Sequence, residues 1–238
     1  MHALHSRHSK LGLPGSELTI NGQWTNIKSS IAADVDSYYE YMQKAAVLFG
    51  RQTYMDMFDQ SHKTIQERLL HPLRPALHQA ILMDGVPMHY NLVEALAAFW
   101  PGCLVMYGDL DAAKTHWFVN HVLWEKYGLL PETYDAQSST PVRRDYIMRP
   151  EHIESTYMLY QATKDPFFLD AGKMMLDTLV NRTETACAFA SVSHTGKHEE
   201  RLDSFFVAET LKYLYLLFDV GMRLTPFFFL PLSRSFPG

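Results

Sequence analysis

Residues 147–166, IMRPEHIESTYMLYQATKDP, decide how the rest of the chain is read. Pro150 opens a helix, because at the first helical position its missing N–H has no intrahelical partner to lose. Glu151 and Glu154 follow in the first turn, three residues apart and so on one face. Ile153, Tyr157 and Tyr160 carry an apolar face at helical spacing. Two acids beside Arg149 at a helix start have a purely structural reading, since the macrodipole stabilises each by ~0.3–1 kcal/mol. The other reading is a site.

Two further segments of the same kind support the site. In VDSYYEY (35–41), Asp36 and Glu40 lie four apart and share a helix face with Tyr39 beside them. Like charges so placed cost a few tenths of a kcal/mol in an exposed helix, a cost that fits a site needing both acids. In RLDSFFVAETLKYLYLLFD (201–219), Glu209 and Lys212 sit three apart inside a helix that is apolar on nearly every side. That apolar surround argues for burial, and the structural reading of the two charges is a partly buried ion pair.

The remaining chain reads as helices joined by Pro- and Gly-rich loops. Residues 1–33 are loop and turn, with Trp24 the one large anchor. A helix from Asp34 or Asp36 to Phe49 stops at Gly50, and a second covers 53–69. The segment 71–90 reads as irregular connection. A third helix over 91–99 stops at Pro101-Gly102, and a fourth runs over 109–126 with Asp109 at its start and Gly128 at its end. After a loop at 129–148 come the organising helix, to Lys164, and a partner to about Leu179. Residues 186–192 suggest a short strand, and 200–218 the last helix. The class is all-α.

Composition bounds the function. The 238 residues are 47% hydrophobic and 20% charged, with a net charge of −5 and scattered signs, which excludes a nucleic-acid footprint and suits one globular domain. Aromatic residues are abundant (13 Tyr, 14 Phe, 4 Trp) and serve either a core or the C–H face of a sugar. Cys103 and Cys187 leave one bridge open without requiring it. The opening MHALHSRHSKLGL lacks the apolar run of a secretory signal, and its His2, His5 and His8 read as a frayed terminus rather than metal ligands. Asn181-Arg182-Thr183 has the pattern of a glycosylation acceptor, on the expectation that the loop after its helix is exposed.

Taken together, VDSYYEY, MRPEHIESTYMLYQATKDPFFLDAG and RLDSFFVAETLKYLYLLFD resemble glycoside hydrolase family 47, the α-1,2-mannosidases, and most of all its ER-degradation-enhancing α-mannosidase-like (EDEM) branch. FWPG (99–102), GD (108–109) and WEKYGLLPETY (124–134) add weaker matches, in order. The resemblance implies part of an (α/α)7 barrel with at most a short β-hairpin, over residues 1–219, followed by a divergent tail at 220–238. It implies an inverting glycosidase, in which an acid protonates the leaving oxygen and a base activates water between two carboxyls roughly 6.5–9.5 Å apart. Carried over by position, Glu151 is the general base, Asp36 takes part in proton transfer, and Arg149, Glu154, Phe205, Glu209 and Glu40 line the sugar subsite. The family's general-acid glutamate belongs to a segment ahead of residue 1, and the threonine that contacts its calcium ion to one beyond Asp219, so calcium binding by this chain is in doubt. By resemblance the setting is the lumen of the endoplasmic reticulum, the partners are high-mannose N-glycans of misfolded glycoproteins, and no transmembrane segment is expected. The tail's apolar run is too broken to span a bilayer, and any oxidoreductase partner is unidentified. Three readings stay open: a trimming mannosidase, a lectin- or chaperone-like binder, and an inactive truncated product.

Overall fold

The computed structural model describes residues 1–89 and 91–219; the tail at 220–238 lies outside them. Backbone contacts divide the chain into two compact units, one built on Met1–Val93 and one beginning at Glu94.

In the first unit a single helical turn, α1 (His2–His5), precedes a hairpin of α2 (Asp36–Phe49) and α3 (Gln52–Arg68). Gly50 caps α2 at φ 60, a left-handed conformation that costs glycine nothing. Tyr39, Met42 and Ala46 of α2 and Met55, Phe58 and Ile65 of α3 are buried. His8 is bound to the Tyr38 hydroxyl, 2.8 Å from its Nε2. Residues 71–90 differ from the irregular connection expected. Leu70–His71 pairs antiparallel with Arg74–His78, and Ala80–Leu82 lies between Lys28–Ser29 and Pro87–His89. With Glu17–Leu18 paired to Trp24–Asn26, the short ladders outnumber the single hairpin expected. Strands of two to five residues, three of the four pairings with shifted register, are too short to display a period of two.

The second unit is helical: α4 (Trp100–Tyr107), α5 (Leu110–Tyr127), α6 (Glu151–Thr163), α7 (Phe167–Thr183) and α8 (Lys212–Phe218). Asp109 caps α5 by accepting from the Ala112 N–H at 3.0 Å, and Gly128 ends it at φ 76, as expected. Pro101-Gly102, expected to stop a helix, lies instead in the first turn of α4, after a 3₁₀ turn at Ala95–Phe99. A proline in that turn sacrifices no intrahelical bond. Gly102 serves close packing, since a Cβ there would stand 2.8 Å from Met158 Sδ.

Helix α6 packs against α4, α5, α7 and α8 and is the centre of this unit. Its buried side carries hydroxyls as well as Ile153 and Leu159. Ser155 donates to the Ala98 carbonyl at 2.6 Å and accepts from the Gly102 N–H at 3.1 Å. Thr156 accepts from the Trp117 indole at 2.8 Å. Tyr157 and Tyr160, expected on the apolar face, are only half-buried.

Behind α6 the aromatic core holds two histidines. His152 is enclosed by Trp117, Trp124 and His121 at ring separations of 5.2, 6.0 and 6.0 Å, and neither of its nitrogens has a hydrogen-bond partner among the described residues. Burial holds His152 well below the usual imidazole range and also lowers His121, where Glu125 pulls the other way. Both groups are neutral when folded and gain protons on unfolding, so their contribution is complete above about pH 6.5 and is lost as pH falls. Stability should drop by up to about 1.4 kcal/mol per pH unit for each proton taken up. Thermal melts between pH 7 and 5 on the chain and on His152→Phe check this; an unchanged slope in the variant would disprove the assignment.

Among the described residues no helix is long and apolar enough to cross a membrane. Cys103 is buried, Cys187 is exposed, and no disulfide joins them.

Candidate active site

The carboxylates expected in the site fall in both units. In the first, Asp36 begins α2 half-buried, and burial raises its carboxyl above the usual range, with Glu40 and Asp34 adding to the rise. Glu40 is paired with Lys44 one turn on, so the repulsion argued between Asp36 and Glu40 is partly relieved by a cation.

The second unit gathers the remaining groups at the start of α6. Met148 is fully buried and adopts a left-handed φ of 63, uncommon for a side chain of its size. Its carbonyl accepts from the buried Thr210 hydroxyl at 2.7 Å, which ties the turn before α6 to the last helical segment. Arg149 follows, and its Nε contacts both carboxylate oxygens of Glu132 at 2.8 and 2.9 Å. The Glu132 backbone is stitched on both sides, its N–H to the Asp145 carbonyl and its carbonyl to the Ala95 N–H. Glu132 lies within the quoted WEKYGLLPETY phrase but was not singled out, because only its contact 17 residues away reveals a role.

Pro150 is the cap and Glu151 the first residue of α6, one position later than expected. Glu151 Oε2 is enclosed without a hydrogen-bond partner among the described residues. Burial is the main reason its carboxyl is pushed up to about 8; Arg149 opposes the rise, and Glu154 and Glu132 add to it. At neutral pH the group therefore carries its proton. Glu154 is buried and accepts from the Tyr213 hydroxyl at 2.5 Å, a partner the sequence reading missed. Burial, with Glu151 and Glu132 adding, also raises the Tyr146 phenol and keeps it neutral.

Phe205 and Glu209 are half-buried on the segment that follows residue 203. The expected uniform α-helix there is interrupted by a π-helix over Phe206–Leu211, a form concentrated at functional sites. Its wider turn separates residues three apart, and the expected Glu209–Lys212 pair does not form. Lys212 instead lies over the Tyr213 ring, 4.2 Å from its centre. Burial all round is not observed either, because Val207 and Tyr215 are more than half exposed. Asn181 is exposed but sits in the last turn of α7 rather than in a loop, and the Thr183 hydroxyl is buried against the Leu179 carbonyl.

The enclosed Glu151 lies beside the Arg149–Glu132 pair at the start of α6, and the chain belongs to glycosyl hydrolase family 47, which matches residues 1–227. Among its relatives is α-mannosidase I MNS5 of Arabidopsis thaliana, 44% identical over 92% of this chain and 38% of that protein. Human ER degradation-enhancing α-mannosidase-like protein 3 is 37% identical over 89% of this chain and 23% of its own length. The chain thus spans well under half of these curated relatives. The solved α-1,2-mannosidase from Trichoderma reesei superposes with a TM-score of 0.70 at 21% identity, over 80% of this chain and 47% of that one. The shared fold is the helical-hairpin, α/α-barrel class expected.

Proposed function

We propose that this chain forms part of an α-1,2-mannosidase that trims high-mannose N-glycans of misfolded glycoproteins in the lumen of the endoplasmic reticulum. The observation that carries the reading is the enclosed, unpartnered Glu151 Oε2 beside the Arg149–Glu132 pair. In this reading Glu151, once ionised, takes a proton from the attacking water, and Asp36 takes part in proton transfer to the leaving oxygen. Arg149, Glu154, Glu209 and Glu40 bind sugar hydroxyls, and the Phe205 ring stacks on a sugar face. No step is derived through the calcium ion that the resemblance implies.

In the complete protein, Glu151→Gln should cut mannose release by about 10²–10⁴-fold. Equal rates would sink the role. A second reading is a glycan binder without turnover, and the proton on Glu151 near neutral pH favours it: a protonated carboxyl donates to a sugar hydroxyl but accepts no proton from water. Glycan binding that persists while the parent protein releases no mannose would select that reading.

A further inference from the structure

A cleft of about 170 Å³ opens in the second unit, away from any residue assigned above. One wall is the end of α5, at Tyr127 and Leu129, and the other is the turn at residues 193–196. Arg144 and Arg182 line it from separate elements, and none of the lining residues is acidic. Arg144 lies over the Tyr127 ring, 5.8 Å from its centre, and has no carboxylate partner among the described residues. Arg182 is also without one, although the neighbouring arginines Arg143 and Arg201 are paired with Asp145 and Asp203.

The cleft's frame is built rather than incidental. Tyr146 and Val192 exchange backbone hydrogen bonds at 2.8 Å in both directions, which sets the segment carrying Arg144 beside the turn. The turn is closed by Gly196 N–H to the Ser193 carbonyl at 2.8 Å, with Gly196 at φ 81. His194 Nδ1 accepts from the Arg144 N–H at 3.3 Å, leaving the hydrogen of that ring on Nε2. Gly128 gives the Arg182 guanidinium its place, because a Cβ there would stand 3.3 Å from Arg182 Nη2.

Two guanidinium groups without a carboxylate partner and the His194 imidazole N–H line the cleft as donors, whereas the Ser193 hydroxyl is engaged by the Lys197 carbonyl at 3.0 Å and by the Thr195 hydroxyl at 3.0 Å. Planar guanidinium groups recognise phosphate oxygens in pairs of parallel hydrogen bonds. The absence of any lining carboxylate rules against a metal or ammonium ligand. We propose that this cleft is an oxyanion site for a phosphate monoester, with Arg144 and Arg182 holding the phosphoryl oxygens. The site is independent of the Glu151 cluster, so its fate does not follow that of the mannosidase reading.

Calorimetric titration of the 238-residue chain with mannose 6-phosphate, inorganic phosphate and mannose tests the proposal. Saturable binding of both phosphates, weakening with salt, and none of mannose is expected. Arg144→Gln and Arg182→Gln should each weaken it by about tenfold or more, whereas Arg143→Gln, whose side chain is paired with Asp145, should leave it unchanged. Both test arginines are exposed, so the variants should fold, and circular dichroism verifies this. Tighter binding of mannose 6-phosphate than of phosphate makes a sugar-borne phosphate the source; equal binding makes it the free anion. No saturable binding at millimolar concentration, or an equal loss in the Arg143 variant, would overturn the site.

Discussion

Replacing Arg149 by methionine is expected to destabilise the chain by about 3–5 kcal/mol, because it strands the Glu132 carboxylate in the interior. The Glu132 side chain is 5% exposed and that of Arg149 20%, so little solvent is available to compensate. The partnership itself is worth much less than its rupture, since desolvating both ions offsets most of their attraction. The double variant Arg149→Met/Glu132→Met should therefore recover most of the loss, or exceed the parent. Urea denaturation of all four forms yields the coupling energy directly. A double variant no more stable than the single one would show that the pair does more than neutralise itself.

The second large effect concerns Glu151. Its carboxyl is pushed up to about 8 when folded, from an ordinary value of 4.5. Between those limits the folded state holds the proton that the unfolded state releases, so the group's favourable contribution is complete below pH 4.5 and lost as pH rises through 8. At about 1.4 kcal/mol per unit, the cost at pH 9 is of the order of a few kcal/mol. Glu151→Gln keeps the shape without the charge and should raise the melting temperature at pH 9 while changing little at pH 5. A parallel melting profile for the two forms across that range would refute the burial argument. With the histidine effect acting from the acid side, stability should fall on both sides of an intermediate pH.

Most of the helical framework was legible because its punctuation is local. Gly50, Asp109 and Gly128 act within one turn of their own positions, and each does what its chemistry suggests. Pro101 was misread because a proline both ends and begins helices, and only the 3₁₀ turn ahead of it distinguishes the two. The ladders around residues 70–89 escaped because two of them are local pairings of strands too short to show a period of two, and the third depends on Lys28 and Ser29, far off in sequence. In the candidate site, the acids of the PEHIES run could be picked out as residue types. Their electrostatic state could not, because it depends on burial and on Glu132 and Tyr213. The π-helix has no pattern of its own in a run where almost every residue is apolar.

The hydrogen bond from Thr210 to the Met148 carbonyl spans 62 residues, and it has a consequence for synthesis. A ribosome adding about 5–20 residues per second needs roughly 3–12 s to travel from one partner to the other. During that interval the turn that aims Arg149 and Glu151 exists without the hydroxyl that holds it. Glu154 waits in the same way for Tyr213, 59 residues on. The nascent site is thus completed late, by its most distal strap, and a pause in translation within that span would prolong the time that half-formed acids and aromatic surface are presented to chaperones.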